Sequence, residues 1–261
     1  MVLAKSIKKS LLTGVILIQI LLLVGCSNAN TASNVAGSTK QKQATTDPLE
    51  KLNRSIYKVN VAFDKHLLKP VAKAYKTVTP EPIDTSISNF FSNLGDIKNA
   101  TNNLLQFKMG DALKDTERFI FNSTFGIGGL LDIATEMGLK KHHEDFGQTL
   151  AVWGVDSGPY VMLPFFGPST LRDASAKFSV DFLLDPKIYS DDYYALFALE
   201  NLDKRADLLS EEDALKDLSD DQYIALRDAW LQRRAYLVND GKVDEKEQSD
   251  LIDELEDLDD D

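Results

Sequence analysis

The segment that decides the fold runs from Asp145 to Ala174 and reads DFGQTLAVWGVDSGPYVMLPFFGPSTLRDA. Glycine and proline divide it into short apolar runs, among them Leu150–Trp153 and Tyr160–Leu163. These runs are compatible with short strands or with a rigid loop, and the prolines disfavour a central sheet. We therefore predict a short, hairpin-like, Gly/Pro-rich block at this point of the chain.

Helical patterning surrounds this block on both sides. Asp47, as N-cap, with Pro48 and Glu50 forms a helix start signal, and apolar residues three and four apart follow as far as Leu67. Pro70 is expected to end or kink this helix. Further helices are predicted from Pro82, over 97–107, from an Asp111 cap, and over 171–184, 192–209 and 220–238. The predicted fold class is mainly α.

The N-terminus has the pattern of an exported lipoprotein. Lysines precede an apolar run, Leu11–Val24, which is too short to span a bilayer comfortably. Leu23-Val24-Gly25-Cys26 then resembles a lipobox, and Cys26 is the single cysteine of the chain. We predict a signal peptide over 1–25 and an acylated Cys26. The polar stretch 26–46 is expected to be a flexible tether, and Ser27, in place of Asp, favours the outer membrane.

Charge and composition narrow the possible partners. Hydrophobic residues make up 43% and charged residues 27%, which is ordinary for a folded protein and supports one domain over 47–239. The formal net charge of −12 makes nucleic acid an improbable partner. Much of the acidic excess lies in residues 240–261, which we interpret as a disordered tail, with a contact to a basic carrier or to divalent cations as the alternative.

The sequence contains few of the residues and motifs that catalytic sites use. There are three histidines, and two of them, His142 and His143, lie in a Lys-Lys-His-His-Glu-Asp run typical of an exposed loop. A zinc site would need further ligands at compatible spacing. There is no Gly-x-Ser-x-Gly motif, and the glycines near Gly126 lack the third glycine of a dinucleotide fingerprint because Leu131 stands there. We expect no enzyme activity, no metal site and no cofactor.

Two irregular segments are unusually apolar, namely 125–131 and 160–168. For the apolar face of any one helix, simple core packing is the plainer interpretation. Loops in water are seldom so apolar, whereas irregular backbone that is buried in protein or lines a cavity at membrane depth can be. A membrane-associated cavity lined by these two segments is therefore a second interpretation of the pattern.

Three long motifs resemble a known family. They are DPLEKLNRSIYKVN from Asp47, RFIFNSTFGIGGLLDIA at Arg118–Ala134, and the Asp145–Ala174 block. Together they resemble the MlaA (VacJ) phospholipid-transport lipoproteins of Gram-negative outer membranes, and the resemblance runs from about residue 47 to about residue 241. It is carried by several motifs in the right order, which is more specific than one short pattern.

The resemblance implies a mainly helical, ring-like domain around an amphipathic channel, lipid-anchored in the outer membrane and facing the periplasm. Such proteins associate with trimeric porins. They remove phospholipids that have strayed into the outer leaflet and pass them to a soluble periplasmic lipid carrier, which maintains lipid asymmetry. A polar bore would spare the head group the cost of crossing hydrocarbon.

The resemblance also implies where the lipid path lies. Cys26 matches the lipid anchor, and Arg172 and Asp173 are expected to hold structure through salt bridges. The residues that match the channel-shaping and gating motifs are Asn60, Phe63, Gly126, Gly128, Gly129, Trp153, Gly158, Pro159, Tyr160, Pro164, Phe165, Phe166 and Gly167.

Two other functions remain as alternatives. The first is a non-transporting structural or adhesive surface lipoprotein whose apolar loops bind a protein partner. The second is an envelope hydrolase, which the lack of an evident nucleophile and base disfavours.

Overall fold

The computed structural model describes residues 47–210 and 221–242. The predicted signal peptide, Cys26, the tether and most of the predicted acidic tail lie outside the described residues. Within the described part the chain is mainly helical, as predicted, with one two-stranded sheet. The α-helices are α1 Glu50–Phe63, α2 Lys69–Val78, α3 Glu81–Leu105, α4 Met109–Thr124, α5 Ile133–Glu136, α6 Phe146–Val152, α7 Leu171–Ala176, α8 Tyr193–Asp207 and α9 Gln222–Val238.

The first helical region differs from its predicted start and end. The N-cap is Leu49 rather than Asp47, whose carboxylate instead accepts a hydrogen bond from the backbone N–H of Leu49 (3.0 Å). Pro70 does not end the helix. The wider π-helical turn Asp64–Leu68 joins α1 to α2 immediately before it, which accommodates a residue that has no backbone N–H to donate.

Helices α3 and α4 pack closely against each other. Two helices were predicted where α3 forms one continuous helix, because Gly95 and the asparagines do not interrupt it. The predicted Asp111 cap is also wrong, since α4 begins at Met109 and Asp111 lies in its first turn.

The Gly/Pro-rich block contains one helix and one hairpin. Leu150–Val152 belongs to α6, so neither a strand nor a rigid loop forms there. The strands β1 (Tyr160–Leu163) and β2 (Gly167–Thr170) pair antiparallel, with Tyr160 opposite Thr170 and Leu163 opposite Gly167. The predicted hairpin is therefore present, but it is shorter than the block.

The helices turn polar faces inward and apolar faces outward. On α4, Asp115, Arg118 and Asn122 are buried, whereas Leu113 and Ile120 are half or more exposed. Among the described residues, buried polar and charged side chains outnumber buried apolar ones. Buried polar groups and large exposed apolar surfaces are the informative exceptions in a soluble fold, and this chain has both.

Helix α1 shows the same inversion. Its apolar stripe was assigned to core packing as the plainer interpretation. Ile56 does pack against the apolar core, but Leu52 and Val59, and Leu67 in the π-helical turn that follows, are each more than half exposed. Asn53 is the buried residue of this helix. No helix in the described ranges is both long enough and apolar enough to cross a membrane.

Candidate functional site

Two asparagines of α1 hold the hairpin. Asn53 donates to the carbonyl of Tyr160 (3.1 Å) and accepts from the N–H of Met162 (2.8 Å). Two turns further on, Asn60 donates to the carbonyl of Leu163 (2.9 Å) and accepts from the N–H of Phe165 (2.8 Å). The two side-chain amides thus pair with the edge of β1 much as a third strand would, and they fix the hairpin along the helix.

The hairpin tip is a three-residue turn, Pro164-Phe165-Phe166. Phe165 and Gly167 both have a positive φ, of 65° and 77°, which turns the chain sharply. The ring of Phe165 packs edge-on against Phe63 at 4.8 Å between centroids. Phe165 is therefore held by one aromatic contact and one asparagine.

The glycine segment after α4 is a tight turn against α3. A Cβ on Gly126 would lie 2.2 Å from the carbonyl oxygen of Leu131, and one on Gly129 would lie 2.6 Å from the Asn93 amide nitrogen. Gly128 has nothing within 4 Å and needs glycine only because its φ is +70°. Close packing therefore requires glycine at 126 and 129, but not at 128.

The larger of two described cavities has a volume of about 310 Å³. One face of α3, one face of α8, the hairpin tip and the segment after α7 enclose it. Its lining combines aromatic rings with ammonium and carboxylate groups. The lining residues are Phe91, Leu94, Gly95, Lys98, Phe166, Lys177, Phe178, Asp181, Phe182, Leu184, Asp185, Pro186, Lys187, Tyr193, Phe197, Glu200, Asn201 and Lys204.

Ion pairs neutralise one end of this cavity. Lys187 lies 2.8 Å from Asp185 and 2.8 Å from Glu200, and Lys204 lies 2.6 Å from the other oxygen of Glu200. Burial would raise the pKa of Glu200, but Lys204 and Lys187 outweigh it and hold the pKa below its usual value. The four groups at this end therefore balance in charge.

The smaller cavity, of about 190 Å³, lies beside a buried arginine network. Arg234 donates to Asp145 (2.6 and 2.7 Å) and to Asp173 (2.8 and 2.9 Å). A Cβ at Gly147 would lie 2.4 Å from the Arg234 guanidinium, so the network needs glycine there. Arg172 also pairs with Asp173 at 3.0 Å, which confirms the predicted structural salt bridge.

The histidine run is a loop that is exposed only in part. His142 contacts the buried carboxylate of Asp115 at 2.8 Å, and Lys141 lies 2.6 Å from the fully buried Asp96. His143 is exposed, although desolvation by the surrounding protein lowers the pKa of its imidazole. The predicted exposed loop is therefore confirmed for His143 and wrong for His142, which lies at the edge of the polar interior. In the described residues there is no group of three or more His, Cys, Asp or Glu that could hold a metal ion.

The sequence-predicted path residues do not gather at one cavity. Phe166 alone among them lines the larger cavity. Tyr160 is buried at the base of the hairpin, and Trp153 donates to the carbonyl of Leu105 (3.1 Å). Gly158, with a φ of +66°, and Pro159 shape the turn into β1, and Pro159 accepts from the N–H of Leu171 (3.1 Å). Asn60 and Phe63 lie on α1 against the hairpin tip, and the other predicted residues lie in the tip and the glycine turn.

Sequence reasoning missed the α3 and α8 faces of the cavity. Phe91, Leu94, Gly95 and Lys98 follow one another at spacings of three, one and three, which places them on one helical face. A lysine within an otherwise apolar stripe was the available signal.

Comparison with known proteins places the chain in a family. The family model of the MlaA lipoprotein matches residues 45–237. The chain is 34% identical to the intermembrane phospholipid transport system lipoprotein MlaA of Shigella flexneri, over 91% of this chain and 94% of that protein. The corresponding protein of Haemophilus influenzae is 31% identical, over 96% of this chain and 99% of that one.

A solved structure agrees with these sequence matches. It comes from work on the structural basis for maintenance of bacterial outer membrane lipid asymmetry, and it superposes with a TM-score of 0.66 at 34% identity. The match covers 74% of this chain and 99% of the other. This chain therefore belongs to the MlaA lipoprotein family.

Proposed function

We propose that this protein is an outer-membrane lipoprotein that removes mislocalised phospholipids from the outer leaflet and passes them to a periplasmic carrier. The observation that carries the proposal is the larger cavity, whose wall presents aromatic rings and ammonium groups side by side. A phospholipid has both an apolar and a charged part, and such a wall suits both. Lipid transfer needs no covalent step, so the proposal includes no enzyme activity.

The outward apolar faces support a place within the membrane surface. Side chains such as Leu113, Phe125 and Ile127 are exposed on the helices and turn around α4. An apolar surface with a polar interior suits a protein lying in one leaflet, with its polar groups away from hydrocarbon. In this proposal the cavity is part of an amphipathic channel that opens to the periplasm.

Deletion of the gene tests the proposed transport. Cells without the protein should accumulate phospholipid in the outer leaflet, measured by surface labelling or by acylation of lipid A, and should become sensitive to detergent. The intact gene on a plasmid should restore both. Outer-leaflet phospholipid at the wild-type level in the deletion strain would contradict the proposal.

The alternative is a non-transporting structural or adhesive lipoprotein. Mass spectrometry of the purified protein separates the two, because a transporter should retain phospholipid and a scaffold should not. Crosslinking from positions 153–167 should capture lipid, the trimeric porin or the periplasmic carrier under transport, and an unrelated surface protein under the alternative.

The anchor is tested by Cys26→Ser. The thiol is the only site for acylation in the sequence, so this variant should lose its outer-membrane location without unfolding. Fractionation measures the location, and circular dichroism measures the fold. A Cys26→Ser protein that still fractionates wholly with the outer membrane would contradict the assigned anchor.

A further inference from the structure

The two cavities meet at one turn of helix. Lys177 and Asp181 line both of them, and they are the first and last residues of a π-helical turn after α7. Lys98, on α3, also lines the larger cavity. Two lysines from different elements therefore line the larger cavity, and one of them, Lys177, lies where the two cavities adjoin.

These two lysines differ from the others in the cavity by their lack of counterions. Lys187 and Lys204 have carboxylates within 2.8 Å, as described above. Lys98 and Lys177 have no ion pair with any residue in the ranges 47–210 and 221–242. The nearby carboxylate of Asp181 accepts from the backbone N–H of Phe146 (3.0 Å) instead. Asp145 also lies near Lys177 but is paired with Arg234, so the charges here without an ion pair are two positive and one negative.

The two ammonium groups also act on each other. The Lys177 side chain is exposed, yet neighbouring protein partly desolvates its ammonium group. This desolvation lowers the pKa of Lys177, and the positive charge of Lys98 lowers it further, against the opposing effect of Asp145 and Asp181. An anion held between them would relieve both effects, because it would replace lost hydration and offset the like-charge repulsion.

Aromatic rings lie directly beside this positive pair. The Lys177 ammonium lies 5.9 Å from the centre of the Phe166 ring, and Phe166 packs edge-on against Phe178 at 5.2 Å. Phe197 lies 6.2 Å from Phe166 on the far side. An anion at the lysines would therefore have an apolar wall next to it, which a free inorganic ion could not use.

We infer that Lys98 and Lys177 form a binding subsite for the phosphate group of a phospholipid, with the acyl chains against the rings around Phe166. This inference rests on the proposed transport function, and it assigns the residues that hold the cargo in the larger cavity. Charge-assisted bonds to phosphate fix the head group, and the aromatic wall selects a lipid over a free anion.

The test measures lipid binding by the full-length mature lipoprotein in detergent. The probes are radiolabelled dioleoyl phosphatidylglycerol and dioleoylglycerol, which lacks phosphate. The double variant Lys98→Met/Lys177→Met should bind phosphatidylglycerol about tenfold or more weakly, since two charged hydrogen-bond donors are lost. Its affinity for dioleoylglycerol should equal that of the wild type.

Two further variants separate binding from folding and from bulk charge. Lys98→Arg/Lys177→Arg keeps both positive charges and should retain phosphatidylglycerol binding. Lys73→Met removes one exposed lysine of α2, which lines neither cavity, and should bind like the wild type. Circular dichroism and the unfolding midpoint check that each variant is folded.

The outcomes distinguish the subsite from the function. If the wild type binds phosphatidylglycerol and the double methionine variant binds it equally well, the subsite is wrong and the transport proposal stands. If the wild type binds neither lipid, both are wrong. Displacement by inorganic phosphate at the same concentration as the lipid would also overturn the subsite, because the site would then take free phosphate.

Discussion

Helices α3 and α4 bury asparagine, aspartate and arginine side chains between them, whereas the place where the hairpin meets α9 buries Tyr160, Met162 and Tyr223. The first region is stabilised by hydrogen bonds and ion pairs inside and exposes its apolar side chains. The second has an ordinary small apolar core, with Trp230 and Ile56 packed against it. The difference shows that hydrogen bonds and ion pairs can stabilise one part of the molecule while apolar packing stabilises another.

The polar region depends on the pairing of its buried charges. Arg118 is 1% exposed and donates to both oxygens of Asp132 (3.0 and 3.1 Å) and to Thr135 (3.0 Å). Its Nε lies 3.5 Å from the fully buried Asp96. Removing any one partner of such a charged centre is destabilising, because the remaining charges are left buried without a counterion.

The largest effect is therefore expected for Arg118→Met. It leaves Asp96 and Asp132 short of a buried partner, which should lower the free energy of unfolding by about 3 to 5 kcal/mol. Chemical denaturation in detergent measures this. Lys114→Met, on the exposed side of the same helix, is the control and should change stability by less than about 1 kcal/mol. Equal effects of the two substitutions would mean that the polar interior contributes nothing specific.

The apolar core should respond through a cavity instead. Met162→Ala removes a side chain that is 2% exposed and should lower the free energy of unfolding by about 2 to 5 kcal/mol. The same denaturation experiment applies. Met162→Leu keeps the volume and should cost less than about 1.5 kcal/mol. A loss as large for leucine as for alanine would show that volume is not what matters at this position.

The glycine turn lets two adjacent positions be compared. Gly128→Ala should cost about 1 to 2 kcal/mol, because alanine is strained at a φ of +70° while its Cβ points into open space. Gly129→Ala should cost more, since its Cβ would also collide with Asn93. Thermal unfolding of both variants measures the difference. A smaller loss for Gly129→Ala than for Gly128→Ala would refute the close approach to α3.

The smallest effect on stability is expected on the outer face of α4. Leu113→Ser and Ile120→Ser should each change the free energy of unfolding by about 0.5 kcal/mol or less, because both side chains are already exposed. Binding of the protein to phospholipid vesicles should nevertheless weaken. Glu117→Ser, exposed on the same helix, should leave vesicle binding unchanged or stronger. Unaltered vesicle binding in the Leu113 and Ile120 variants would argue against a membrane-facing surface.

The sequence by itself determined the helical class, the hairpin and the family. Helical spacing, proline and glycine act locally, so they locate elements without knowledge of the rest of the chain. These local patterns were less accurate for the residues at which the helices begin and end. Asp111 has a capping residue's chemistry but lies inside α4, and Pro70 follows a π-helical turn instead of a helix end, because packing along the chain overrides these local preferences.

Only the tertiary structure decided which side of each helix faces inward. Helical periodicity places Leu113 and Asp115 on different faces of α4, but it does not say which face is buried. In the structure the polar face, with Asp115, is the buried one. The reason is that Arg118 and Asn122 both contact Asp132, across a turn, and Arg118 also lies against Asp96 on α3. Those contacts, and the presence of Lys98 and Lys177 in one cavity, join distant segments that no local pattern encodes.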